Sequence, residues 1–312
     1  MRSSITRHTL IVFILVTIFS GCDRSNYSGI SPDTINTNSA RLKVVDSEFG
    51  RQLVINDRVK GFVDTTTWNS RLKYGGVLDL PLHYFVGSGK MFLIGLGTGS
   101  IPKSYRRRGW EVDVVEPESA VIHIARRSFG FSDSGVQVRN DDGRRFLEGS
   151  NVTYDVVIVD EISSMPPRPH LLTKEFFQIV ARHLRDGGII AAAIESFGWN
   201  DAMVTSLAAT LGGMFQHVIV LPIAEPPNRF GSIVVLASNR TLDNLLQDLN
   251  HNEELDPDWR FSPDYQKTHA WDNHFTPDTR SSVIQYDASN SWQEFFGRIN
   301  DPARRDSVGY FP

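Results

Sequence analysis

Cysteine is almost missing from this chain: one residue, Cys22, in 312. A lone cysteine excludes an intramolecular disulfide framework and any zinc site built on cysteine clusters. Neither sign of charge dominates. Lys and Arg number 32 against 36 Asp and Glu, a formal net charge of −4, which removes the electrostatic case for a dedicated nucleic-acid binder. The nine histidines include no i,i+4 pair of the kind a helix uses to hold a metal, so no metal is expected. There is no Gly-x-Ser-x-Gly nucleophile elbow. Gly87-Ser88-Gly89-Lys90 is not a phosphate loop, because Tyr84 stands where its first glycine belongs and Met91 replaces its Ser/Thr. What is present is an ordinary globular composition, with 40% hydrophobic, 22% charged and 11% aromatic residues. That composition excludes a fibrous, disordered or multi-span membrane protein, and the length suits about two domains.

The chain opens on a leader. Arg2, Arg7 and His8 precede a nearly unbroken apolar run of ten residues, Leu10 to Phe19, then the small Ser20 and Gly21 before Cys22. The run is too short to cross a ~30 Å hydrocarbon layer as a helix and suits the core of an export signal. Phe19-Ser20-Gly21-Cys22 resembles the bacterial lipobox, with Phe19 where Leu is usual. That resemblance implies acylation of Cys22 and a membrane partner reached through the lipid anchor. Two or three acyl chains, at about 0.8 kcal/mol per buried methylene, hold a protein firmly at a bilayer. Asp23 resembles the retention signal of some enterobacterial lipoproteins, which implies the periplasmic face of the inner membrane. An uncleaved signal anchor is the alternative.

Residues 23–40 are rich in Ser, Asn, Thr and Pro and read as a flexible tether. Residues 41–86 alternate in hydropathy, with turn signals at Phe49-Gly50, Asn56-Asp57 and Gly75-Gly76, and read as a small antiparallel β domain. From 87 to 238 the pattern becomes short apolar runs: Met91–Gly95, Glu111–Val115, Val136–Val138, Asp155–Val159, Gly188–Ile194, His217–Leu221 and Ser232–Ala237. Amphipathic segments at Ser100–Arg108, Ser119–Ser128, Asp141–Glu148 and Thr173–Leu184 separate the first five, the last of them stopped by Asp186-Gly187-Gly188. Strands apolar on both faces, alternating with helices, imply a parallel sheet covered on both sides. The final two runs lack a helix-length insert and should pair antiparallel. The expected fold class is therefore α/β, a seven-stranded Rossmann-like sheet of the class I S-adenosylmethionine-dependent methyltransferase type. Residues 239–312, with Trp259, Trp271 and Trp292, form a polar and aromatic extension without a structural assignment.

The first run of that domain leads into Gly95-Leu96-Gly97-Thr98-Gly99, glycines that let a backbone turn sharply beside a ligand at the carboxyl edge of a sheet. Glu116, 21 residues after Gly95, ends the second run, where a carboxylate can accept both ribose hydroxyls of an adenosine; a solvated Glu is the alternative. Asp141-Asp142-Gly143 follows the third run, and either acid, Asp142 in particular, is placed for an adenine contact or for capping the next helix. Asp160 ends the fourth run, as a catalytic or substrate-binding carboxylate or as an acceptor of loop N–H groups.

From Asp160 the text continues through Ser163-Ser164 and His170-Leu171-Leu172 to Thr173-Lys174-Glu175-Phe176. This stretch resembles the spermidine synthase family, in which an Asp-Ser-Ser-Asp-Pro loop ends the strand and Thr-Lys-Glu-Phe begins a helix thirteen residues after the first Asp, as here. The likeness covers roughly Leu42 to Ala237 and is greatest to a divergent spermidine synthase-like bacterial branch. It implies aminopropyl transfer from decarboxylated S-adenosylmethionine to a small amine, with Asp160 as the catalytic carboxylate, Glu116 on the ribose and Asp142 on the adenine. Three departures stand out: Thr98 replaces the loop Asp that contacts the aminopropyl end, Ser163 and Ser164 replace the second Asp and its Pro, and Tyr74-Gly75-Gly76 replaces a Tyr-His-Glu cluster. The adenosine half of such a site is kept while the polyamine half is degraded or retuned. Methyl transfer from S-adenosylmethionine, and non-catalytic binding of an adenosyl metabolite or polyamine, are the alternatives. Homodimer formation is left open.

Overall fold

The structure, a computed structural model, describes residues 34–160, 168–223, 230–242 and 274–280. Cys22, the first part of the expected tether, Ser163, Ser164 and the three tryptophans of the extension lie outside the described residues. Among the described residues no helix is long and apolar enough to cross a membrane.

Four strands, β1 (Thr34–Asn36), β2 (Arg41–Ser47), β3 (Gly50–Ile55) and β4 (Arg58–Val63), form an antiparallel meander in chain order. Its tightest turn is set by Asn56 and Asp57, both at positive φ (50° and 61°), the conformation a two-residue hairpin requires and these side chains tolerate. The meander begins earlier than sequence predicts: β1 falls in the stretch read as tether, its Ile35 opposite Leu42 and packed on the core. Gly75-Gly76, read as a turn, instead lies inside a short helix, α1 (Lys73–Val77). Gly75 passes so near Ser70 that a Cβ would come within 2.5 Å of its hydroxyl, which explains the need for a small residue.

The large sheet contains β5 (Lys90–Ile94), β6 (Glu111–Val115), β7 (Val136–Arg139), β8 (Tyr154–Val159), β9 (Leu184–Ser196), β10 (His217–Pro222) and β11 (Gly231–Ser238). Its order is β10-β11-β9-β8-β5-β6-β7, parallel except for β11, which runs antiparallel to both neighbours. This is the expected α/β class, with the smaller sheet preceding it. β5 is buried on both faces. Met91 and Leu93 join the core shared with the meander, whereas Phe92 and Ile94 join the core under the helices of the other side.

Those helices are α4 (Gly143–Glu148), α5 (Lys174–His183) and α6 (Ala202–Gly212), while α2 (Ser100–Arg107) and α3 (Ser119–Ser128) cover the first face with the meander. Sequence periodicity gives no sign of α6. Its buried residues include Met203, Val204, Leu207, Ala208 and Leu211, and with few polar positions it shows no amphipathic stripe. Asp201 fixes its start by accepting the Met203 N–H at 2.9 Å. At the end of α5 the expected stop at Asp186-Gly187-Gly188 comes late, because Leu184 already pairs with Tyr154 and the helix ends at His183. Of the extension, Phe275 exchanges two backbone hydrogen bonds with Val220 of β10 (2.9 and 3.1 Å), a one-residue addition to the sheet edge.

Candidate active site at the carboxyl edge of the sheet

The chain runs from β5 outward to β6 on one side and to β8 on the other, so strand order reverses at β5 and leaves a crevice at its carboxyl end, the usual ligand position in open α/β sheets. Every site residue picked from the sequence within the described part falls on this edge. Gly95, Gly97 and Gly99 carry the loop between β5 and α2 at φ of 98°, 54° and 78°, values that disfavour any side chain. A Cβ on Gly99 would sit 2.4 Å from the Phe131 ring.

Glu116, just past β6, is 2% exposed. Its carboxylate accepts the N–H of Leu96 (2.9 Å) and the N–H of Glu118 (2.9 Å). It therefore braces the glycine loop against the start of α3. Asn140 donates to the backbone carbonyls of Glu116 (2.8 Å) and Pro117 (2.9 Å), tying the ends of β6 and β7 together.

Asp142 does what the capping alternative anticipated. One carboxylate oxygen accepts the N–H groups of Arg144 (3.0 Å) and Arg145 (3.1 Å), and the other meets His170 Nε2 at 2.8 Å. Asp141 accepts the Asp142 N–H and pairs with the Arg145 guanidinium. The His170 hydrogen bond, with the two cap N–H groups, holds the Asp142 pKa down at about 2 against an ordinary 3.8. Because the folded value is depressed, its stabilisation is present above the unfolded value and fades as the pH falls from about 4 to about 2. Asn caps a helix as well as Asp, so Asp142→Asn isolates the charge. Urea unfolding should find the variant about 1–2 kcal/mol less stable at pH 7, with the gap closing below pH ~3.

Asp160 follows β8, its N–H donating to Ile94 O of β5 at 2.9 Å, so its backbone is fixed beside the glycine loop. Asp160, Gly97 and Thr98 line one narrow cleft together with Lys60 of β4 and with Tyr74 and Gly75. Thr98 is buried, and β4 crosses so close that a Cβ on Gly61 would lie 2.3 Å from its methyl carbon. Where the resembled family has a loop acid, this chain has a seat for β4.

Three residues at this edge escaped the sequence reading. Glu195, near the end of β9, pairs with the Arg58 guanidinium and lies 3.4 Å from Lys60 Nζ. Burial opposes charge on both Lys60 and Glu195. Burial still leaves the Lys60 pKa below its usual value, despite the attraction of Glu195, whereas Lys60 and Arg58 outweigh it for Glu195 and keep that carboxyl below its usual range. An acid following the apolar run Gly188–Ile194 repeats the pattern of Glu116 after β6 and Asp160 after β8, and that repetition was the available signal.

Residues 109–244 match the spermine/spermidine synthase domain family. The matched stretch holds Glu116, Asp141, Asp142, Asp160 and Glu195, and stops short of the glycine loop and Lys60. Over 178 residues the chain is 28% identical to spermidine synthase 1 of Hyoscyamus niger, covering 54% of this chain and 55% of that one. The chain spans about half the length of the curated relatives it matches. Among solved structures, the spermidine synthase of Thermotoga maritima aligns with a TM-score of 0.56 at 18% identity, over 67% of this chain and 73% of that one. A spermidine synthase in complex with the transition-state analogue AdoDATO aligns with a TM-score of 0.57 at 18% identity, over 72% and 79%. Those two likenesses show a shared fold.

Proposed function

We propose that this protein transfers an alkyl group, an aminopropyl group in its fullest form, from an S-adenosyl sulfonium donor to an amine. The observation that carries the reading is the convergence of Asp160, Glu116 and the glycine loop on the crevice where strand order reverses. Relatives named spermidine synthase and the matched domain support it. Glu116 and the loop it braces would hold the ribose, and Asp141 and Asp142 would edge the adenine.

The chemistry asks little of the protein. A sulfonium is already a good leaving group, so the amine lone pair attacks the adjacent carbon as the carbon–sulfur bond breaks and its electrons return to sulfur. With decarboxylated S-adenosylmethionine the products are the aminopropylated amine and methylthioadenosine. Asp160 would orient the acceptor and take the ammonium proton, a positioning and general-base role. Thr98 in place of the family's loop acid favours a second reading, methyl transfer from S-adenosylmethionine, which yields S-adenosylhomocysteine. A non-catalytic binder of the same nucleosides is the third. The leader ending at Cys22 supports a lipid-anchored placement at the periplasmic face of the inner membrane.

Purified protein incubated with putrescine and either donor separates these readings. Methylthioadenosine is the expected product. S-adenosylhomocysteine alone would establish methyl transfer, and nucleoside binding without turnover would establish a binding protein.

A further inference from the structure

β4 lays Lys60 and Gly61 across the glycine loop. A Cβ on Gly97 would stand 4.0 Å from the Lys60 carbonyl oxygen, and Gly61 abuts Thr98, so the Lys60 backbone is fixed against that loop. The Asp160 backbone is fixed by its N–H on the carbonyl of Ile94, the residue before Gly95. Among the described residues that line the cleft, Lys60 is the one cation and Asp160 the one anion, and Tyr74 of α1 is the remaining titratable group. Glu195 of β9 accepts the Lys60 ammonium at 3.4 Å and also pairs with Arg58 of β4. Glu116 accepts the N–H groups of Leu96 and Glu118 under the loop. The attraction of Asp160 for Lys60 works with that of Glu195 against the burial that pushes the Lys60 pKa below its usual value.

We infer that Lys60 is a positioning residue for Asp160: its ammonium, anchored on Glu195, keeps the Asp160 carboxylate ionised in the cleft and open to a proton. The inference rests on the transfer reading above and names the group that holds its base in working form. Attraction between two charges acts on both partners, so a cation favoured by Asp160 favours the charged form of Asp160 in return. A carboxylate in a narrow cleft would otherwise tend to keep its proton and be lost as a base. Anchoring on Glu195 matters, because an untethered ammonium would compete with the acceptor for the same carboxylate.

Two measurements on the full chain test it. Trace acetylation across a pH series, read on the Lys60 peptide by mass spectrometry, gives the Lys60 titration midpoint, and a side chain 19% exposed admits the reagent. Asp160→Asn should lower that midpoint by about one pH unit, because the carboxylate no longer favours the ammonium. In the kinetic arm, the acid limb of kcat for methylthioadenosine release should move up by about one pH unit in Lys60→Met and stay in place in Lys60→Arg. Most of the rate should return above the new limb. A merely structural role would lower kcat at every pH without moving the limb. An unmoved Lys60 midpoint in Asp160→Asn overturns the inference, and so does an acid limb that Lys60→Met leaves in place or that Lys60→Arg shifts equally. Wild-type protein without turnover overturns the transfer reading instead, and acetylation then decides the coupling of Lys60 to Asp160 by itself. It also decides should Lys60→Met fail to fold.

Discussion

Asp160→Asn should lower the rate of methylthioadenosine release by about 100-fold or more, the range over which a positioned general base contributes. The substitution is close to isosteric, and the Asp160 backbone is held independently of its side chain by the hydrogen bond to Ile94. The fold and the glycine loop should therefore persist. Nucleoside binding, measured by calorimetry, should change by less than about threefold, which confines the loss to kcat. On the proposed reading an amide could not take the proton that an acceptor ammonium would shed, and it offers Lys60 across the cleft no charge. Turnover at the wild-type rate would reduce Asp160 to a strand-end residue that closes the loop and no more.

The second large effect is on stability. Glu195→Gln leaves Arg58 and Lys60 side by side with no carboxylate between them, and the side chains of Arg58 and Glu195 are only 7% and 11% exposed. Removing one partner of a buried ion pair typically costs about 3–5 kcal/mol, because the remaining charge stays buried and uncompensated. For a chain of this size that corresponds to a fall in Tm of roughly 10 °C. The Glu195 pKa is depressed in the folded protein, so its contribution is present above the ordinary carboxylate range and is lost as pH falls through its lowered value. The deficit of the variant should thus be greatest near neutrality and shrink in acid. An unchanged Tm at pH 7 would mean that water already reaches the pair.

The acids of the site were legible because a parallel sheet delivers the residue after each apolar run to one edge. Glu116 and Asp160 follow their runs directly, and no knowledge of packing was needed to place them together. Glu195 obeyed the same rule and was passed over, since no motif surrounds it. Lys60 was illegible for a different reason. Its partner is 135 residues away, and nothing local in an alternating strand marks one lysine as inward. Thr98, which stands where the resembled family has an acid, also packs against Gly61 of β4, a contact that nothing in the local sequence announces. Part of the Thr173-Lys174-Glu175-Phe176 likeness also has a local cause, since the Thr173 hydroxyl caps α5 by accepting the Phe176 N–H at 3.3 Å. The missing helix α6 and the short β1 failed for want of pattern, the one being apolar on nearly every side and the other a three-residue strand recognisable only by its pairing.

β4 lies across the switch point and is fastened twice, by Gly61 against Thr98 and by Arg58 and Lys60 against Glu195. The small sheet is consequently a crossbar and not a door. It cannot swing aside without breaking a buried ion pair, so any ligand of this crevice would meet β4 as a fixed wall and not as a moving cover.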